Sequence, residues 1–130
     1  MVIIAGTRTF DDYDRLKADC DRILLDVYPN DEHITIMSGG ASGAGTLGER
    51  YAAEKDYAVI HYRADWTNHG KAAGPIRNSE MVRDCDYAIV FWDSQSRGTL
   101  DLIKKLNTAD KPRAVVFIQT KAQPVPEVQA

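Results

Sequence analysis

The 130-residue chain has only two cysteines, Cys20 and Cys85, far apart and outside any Cys-x-x-Cys pair. That scarcity argues against a disulfide scaffold or a cysteine-built metal site and points to a reducing cytoplasm. His33, His61 and His69 show neither i,i+4 nor other short ligand spacing, so no metal set is read from them. No run approaches the roughly 18 apolar residues of a membrane span, which argues against insertion. Met1 runs straight into Val2-Ile3-Ile4-Ala5-Gly6 without a basic region or cleavage pattern, so the start reads as a strand and not a leader. Positive charge is not in surplus either. With 16 Lys and Arg against 19 Asp and Glu, the formal net charge is −3. Such a chain lacks the cationic excess from which nonspecific nucleic-acid binding draws its affinity.

What is present is an alternation of short apolar runs with helical patterns, the mark of βαβ units and a largely parallel sheet. Val2–Ala5 reads as a first strand, and Asp11 to about Val27 as a helix with Leu16, Cys20, Ile23, Leu24 and Val27 on one face. Pro29-Asn30-Asp31 breaks it, and His33–Met37 supplies a second strand. A glycine-rich segment from Ser38 to Gly48 opens a helix reaching about Asp56, and Tyr57–Tyr62 is a third strand. A loop through Trp66 and Gly70 leads to a helix with Pro75 at its first position, running to about Arg83. Tyr87–Trp92 is a fourth strand, Ser94–Thr99 a polar loop, Leu100 to about Asn107 a helix and Ala114–Ile118 the last strand. The expectation is one Rossmann-like α/β domain over residues 1–120, a three-layer sandwich with a mainly parallel five-stranded sheet. The tail at 121–130, with Pro124 and Pro126, is expected to be flexible.

In such a sheet every strand-to-helix loop lies at the carboxyl edge, where helix N-termini offer free N–H groups and partial positive charge to phosphate or carboxylate. The first such loop holds Gly6, Thr7, Arg8 and Thr9: a turn-former, two hydroxyls and a forked cation, or simply a helix cap beside a surface arginine. The second, Ser38–Gly48, carries five glycines, more than a turn needs, and Gly39, Gly40, Ala41, Ser42 and Gly43 suit close approach of backbone to a ligand. It has the outer spacing of a Walker loop from Gly40 to Thr46, but Ala44 stands before the final glycine and no P-loop lysine is present. Gly43, Gly45 and Gly48 also fit G-x-G-x-x-G, with Asp65 placed for a ribose contact, a pattern weak on its own. The third segment brings Lys71, Gly74, Pro75, Arg77 and Asn78 to a helix start, with Arg77 either serving an anion or paired to a nearby acid. The fourth offers Ser94, Ser96, Arg97, Gly98 and Thr99. Trp66 and Trp92 near this edge are stacking faces or core filler, and His69 an acid/base group or a solvated loop residue. Convergence of four such loops points to a phosphate-bearing ligand.

Gly6-Thr7-Arg8-Thr9, Gly39-Gly40-Ala41-x-Gly43-Ala44, Asp65-Trp66, His69-Gly70-Lys71-Ala72-Ala73-Gly74-Pro75-x-Arg77-Asn78-x-x-Met81 and Ser96-Arg97-Gly98-Thr99 together resemble the YspA-like, YpsA-related branch of the SLOG superfamily. The resemblance implies a Rossmann-like fold, a nucleotide-derived ligand and a homodimer. It also implies rival roles, since the superfamily includes the LOG enzymes, which cleave the N-glycosidic bond of nucleoside monophosphates, and the DNA-binding DprA proteins. Arg77 matches a LOG arginine, whereas the LOG glutamate position falls on Leu102, with Asp101 one residue earlier. One residue turns a helical side chain by about 100°, so Asp101 is no direct substitute. Ser96 replaces a loop glycine, and Gly45 stands where the pattern usually has aspartate. These departures favour binding over hydrolysis. The expected function is thus a nucleotide-ligand sensor or sequestering protein without a further cofactor. The alternatives are a nucleoside-monophosphate N-glycosidase using Arg77 with Asp101 or Glu49, and a single-stranded DNA contact, which the acidic charge disfavours.

Overall fold

A computed structural model describes residues 1–30 and 33–119. The flexible tail expected at 121–130 lies outside the described residues, as does Asp31 of the expected helix breaker. The elements are β1 (Val2–Gly6), α1 (Tyr13–Val27), β2 (Thr35–Ser38), α2 (Ala44–Glu54), β3 (Ala58–His61), α3 (Trp66–His69), a 3-10 turn (Gly70–Ala72), α4 (Ala73–Asp84), β4 (Tyr87–Trp92), α5 (Arg97–Thr108) and β5 (Arg113–Phe117).

The five strands form one sheet in the order β3-β2-β1-β4-β5. Every neighbouring pair is parallel. Alternation along the strands sorts side chains to two faces. Val2, Ile4, Ile36, Ile89 and Phe91 pack with Leu16, Cys20, Ile23 and Leu24 of α1 and Tyr51 and Ala52 of α2. Ile3, Met37, Ala88 and Val90 pack with Met81 and Val82 of α4 and Leu102, Ile103 and Leu106 of α5. The result is a Rossmann-like, three-layer domain whose central strands are covered on both sides. Each fully buried aliphatic side chain contributes about 1.5–3 kcal/mol.

Capping explains most helix boundaries. Asp12 accepts the Arg15 N–H at 3.1 Å to open α1, and Ser96 accepts the Thr99 N–H to open α5. That cap starts α5 three residues before the expected Leu100, so Arg97, Gly98 and Thr99 belong to a first helical turn and not to the polar loop. Pro75 is the third residue of α4, not the first. It is tolerated there because N–H groups of a first turn have no intrahelical partner to lose. The segment expected as loop contains α3, nucleated by Asp65, whose carboxylate accepts both the backbone N–H and the amide N–H of Asn68 at 3.1 and 2.7 Å. Smaller shifts affect β2, which begins at Thr35 and not His33, and β5, which spans Arg113–Phe117.

Candidate functional site

Strand order reverses between β1 and β4. The chain moves outward from β1 to β2 and β3, then returns to the other side for β4 and β5, so the loops leaving β1 and β4 diverge and open a crevice. A cleft of about 130 Å³ lies there. Its walls are Ala5, Gly6 and Arg8 after β1, Gly39, Ala41 and Gly45 of the glycine segment, Arg77, Asn78 and Met81 of α4, and Ser96, Gly98, Thr99 and Leu102 of α5. A wider recess of about 340 Å³ adjoins it towards β3, lined by Arg8, Gly39, Ala41, Ser42, Arg63, Ala64, Trp66 and Arg77. Arg8, Gly39, Ala41 and Arg77 border both and form the neck between them.

Arg77 is the electrostatic centre. It projects from the second turn of α4 across Gly39, donating from Nη1 to the Gly39 carbonyl at 3.1 Å. A Cβ on residue 39 would stand 2.9 Å from that Nη1, so the glycine permits this close approach. The Nε–H is buried without a hydrogen-bond partner among the described residues, and no carboxylate there forms an ion pair with Arg77. Burial, and then the neighbouring Arg8 cation, pull its pKa below the ordinary guanidinium value.

The other arginines divide by position. Arg15, Arg22, Arg50 and Arg83, away from the carboxyl edge, each meet an Asp or Glu, while Arg113 at the start of β5 donates to the Lys111 carbonyl at 2.8 Å. Arg8, Arg63 and Arg97 join Arg77 at the edge, and among the described residues none of these has a carboxylate partner. Among the described residues no Asp or Glu lines either chamber.

The glycine segment is locked against the β1 loop. Gly43 has φ 76°, and a Cβ there would lie 2.3 Å from the Thr7 carbonyl oxygen and 2.4 Å from that of Arg8. The Ala44 N–H donates to the Thr7 carbonyl at 3.3 Å, and Gly40 N–H to the Ser38 hydroxyl at 3.1 Å. This aims the N-terminus of α2, which has no side-chain cap, at the cleft.

Several residues named from sequence hold the frame and do not face the cleft. Thr7 is buried, its hydroxyl accepting the Asp93 N–H at 3.1 Å and so tying the β1 and β4 loops together. Asn78 borders the cleft but donates to the Gly98 carbonyl and to Asp101 at 3.2 and 3.0 Å, joining α4 to α5. Asp101 is held by Lys105 at 2.6 Å, and Glu49 accepts from the Ser38 hydroxyl at 2.6 Å. Neither carboxylate lines the cleft, whereas Leu102 does. Trp92 donates to the Ser96 carbonyl at 3.1 Å and packs on Phe117, propping the β4–α5 turn. Asp65 is engaged as the α3 cap.

Thr9, Gly40, Pro75, Ser94 and Arg97 are exposed around the rim, Gly74 is buried at the start of α4, and Lys71 and His69 are exposed outside both linings. Arg63 was not singled out from the sequence. Its position, two residues beyond the end of β3, marks it as another carboxyl-edge residue. Among the described residues no group of His, Cys, Asp and Glu could hold a metal ion.

The Gene 61 protein of Mycobacterium phage D29 is 31% identical over 117 residues, covering 85% of this chain and 91% of that protein. No solved structure gives a significant match. A family model described as YspA, cpYpsA-related SLOG family matches residues 1–69, which carry β1, the glycine segment and β3. That match spans more than half of the chain, and the protein therefore belongs to the YspA, cpYpsA-related SLOG family.

Proposed function

We propose that this protein binds a nucleotide or nucleotide-derived ligand, with a phosphate seated at the neck between Arg8 and Arg77, and that it holds the ligand as a sensor or sequestering protein. The supporting observation is Arg77, a half-buried cation whose buried Nε–H has no partner and which meets no carboxylate among the described residues. A buried, uncompensated charge is costly, and a phosphate would supply both the counter-charge and the missing acceptor. At the N-terminus of α2, Ala44 and Thr46 already donate to the Thr7 and Ala41 carbonyls, and Gly45, which lines the cleft, adds its N–H on the same side. Family membership supports a nucleotide-related ligand.

Binding without turnover is favoured by the fate of the carboxylates. Asp101 is occupied by Lys105 and Asn78, Glu49 by Ser38, and the cleft presents Leu102 instead. A general acid or base must reach the reacting atoms, and neither carboxylate borders the cleft. Single-stranded DNA fits less well with a net charge of −3. The buried free thiols Cys20 and Cys85 suit a reducing cytoplasm, and no described helix is long and apolar enough to cross a membrane. A homodimer, implied by the family resemblance, is checked by light scattering.

Small molecules released by denaturing gently purified protein, identified by mass spectrometry, should include a phosphorylated nucleotide derivative. If none is retained, and a panel of nucleotides gives no thermal shift, the reading fails. Free base released from a nucleoside monophosphate, and lost in Arg77→Ala, would instead establish the N-glycosidase alternative.

A further inference from the structure

We infer that the cleft and the adjoining recess form one elongated site for a nucleoside diphosphate. The terminal phosphate lies in the inner cleft, the α-phosphate at the Arg8–Arg77 neck, and the base in the outer recess against Trp66. This rests on the reading of the neck as a phosphate site and extends it to the ligand's charge and length.

The first argument is charge. Three arginines, Arg8, Arg63 and Arg77, line the joined chambers, and among the described residues no carboxylate does. A nucleoside monophosphate brings about 1.5–2 negative charges near neutral pH, and a second phosphate roughly one more. The diphosphate therefore matches the fixed positive charge, whereas the monophosphate leaves one guanidinium uncompensated. The second argument is shape. Arg77 and Gly39 border both chambers, so a chain of two phosphates crosses the neck without leaving cationic surface.

The third argument is the placing of the aromatic group. Trp66 is 51% exposed although it stands beside buried Gly74, and it shares the recess with Arg63. An exposed indole beside a guanidinium that has no carboxylate partner among the described residues suits stacking of a planar base, while no described aromatic residue lines the inner cleft. Arg63 lies on the same side and reaches the α-phosphate from the outer chamber.

The test is isothermal titration of the full chain with the mono- and diphosphates of adenosine, guanosine, cytidine and uridine, and with inorganic pyrophosphate. At least one diphosphate should bind tenfold or more tightly than its monophosphate. Because Arg63 faces the α-phosphate that both nucleotides carry, Arg63→Ala should weaken mono- and diphosphate alike, by about tenfold or more. Trp66→Ala should weaken the nucleotide by about tenfold, leave pyrophosphate nearly unchanged and be largely rescued by Trp66→Phe. Equal affinities for mono- and diphosphate, or nucleotide affinities unchanged in Arg63→Ala, would overturn the elongated site while leaving the phosphate reading intact, provided Arg77→Ala abolishes monophosphate binding. No binding by any of the probes would overturn both.

Discussion

Replacing Arg77 with methionine separates a residue that serves a ligand from one that serves the fold, because the stem is kept and only the charged head is removed. In the ligand-free protein two effects oppose each other. The variant loses the hydrogen bond from Nη1 to the Gly39 carbonyl at 3.1 Å, about 1.5–3 kcal/mol for a charged donor. It also removes a buried Nε–H without a partner, which relieves about 1–3 kcal/mol, together with repulsion from Arg8. The difference falls within about 1.5 kcal/mol of zero, whereas breaking a buried arginine–carboxylate pair costs about 3–5 kcal/mol. Urea denaturation of the ligand-free variant should therefore show a midpoint within about 1 M of the parent. Ligand affinity should fall by about 2–5 kcal/mol, the cost of truncating one side of a buried charged contact, or roughly 30-fold to several thousandfold. A ligand-free variant destabilised by more than about 3 kcal/mol, with affinity for the retained ligand unchanged, would refute this reasoning and make Arg77 structural.

Three further outcomes follow from the packing and the charges. Burial, with Asp19 and Asp21 adding to it, pushes the Cys20 thiol up to about 12, and burial also raises Cys85; both should resist Ellman's reagent at pH 8 in native protein and react in denaturant, and fast native labelling of Cys20 would contradict the core described. The Arg83 guanidinium, then the Tyr62 hydroxyl, hold the Asp84 carboxyl down at about 2. A lowered folded-state pKa contributes stability above the ordinary carboxylate value that is lost as pH falls from about 4 towards 2, so Asp84→Asn should flatten that part of the acid unfolding curve, and an unchanged curve would count against the contact. Gly43→Ala places a Cβ 2.3 Å from the Thr7 carbonyl oxygen at φ 76°; backbone strain of about 1–3 kcal/mol and overpacking of a similar size predict a loss of about 2–6 kcal/mol in urea denaturation, and a variant as stable as the parent would mean that the two loops do not pack in this way.

The layered fold was legible because its signals are hydrophobic and periodic. Leu16, Cys20, Ile23 and Leu24 recur at helical spacing and all four are buried on one face of the sheet, and Tyr87–Trp92 runs as an uninterrupted apolar strand because the centre of a parallel sheet is covered on both sides. Helix α3 was not legible, since Trp66-Thr67-Asn68-His69 has no apolar stripe and its turn depends on a local Asp65 cap. The loops that build the edge could be found from glycine content and strand order. The direction of each side chain could not. Thr7, Asn78 and Asp101 carry the same donor and acceptor groups whether they face a ligand or a neighbouring loop, and only the contact across α4 and α5, or between the β1 and β4 loops, settles the matter.

The same distinction separates backbone irregularity that ends a helix from irregularity that shapes a site. Asp56 and Asp110 have positive φ, yet each follows a helix and returns hydrogen bonds to its last turn, Asp56 to Ala53 and Asp110 to Asn107, so helix termination accounts for both. Gly43 has positive φ at the start of a helix, where it holds the glycine segment on the β1 loop and brings Gly39 and Ala41 to the neck. The charges follow a parallel division. Acids outnumber bases by 19 to 16, so carboxylates are not in short supply, and four of the five arginines remote from the edge have found them, the fifth, Arg113, donating to the Lys111 carbonyl. Arg8, Arg63 and Arg77 border chambers that no Asp or Glu lines among the described residues. Local inconsistency confined to one place in an otherwise consistent fold is the expected mark of function. Here it is a deficit of negative charge at the topological switch point, which an anionic ligand would make good.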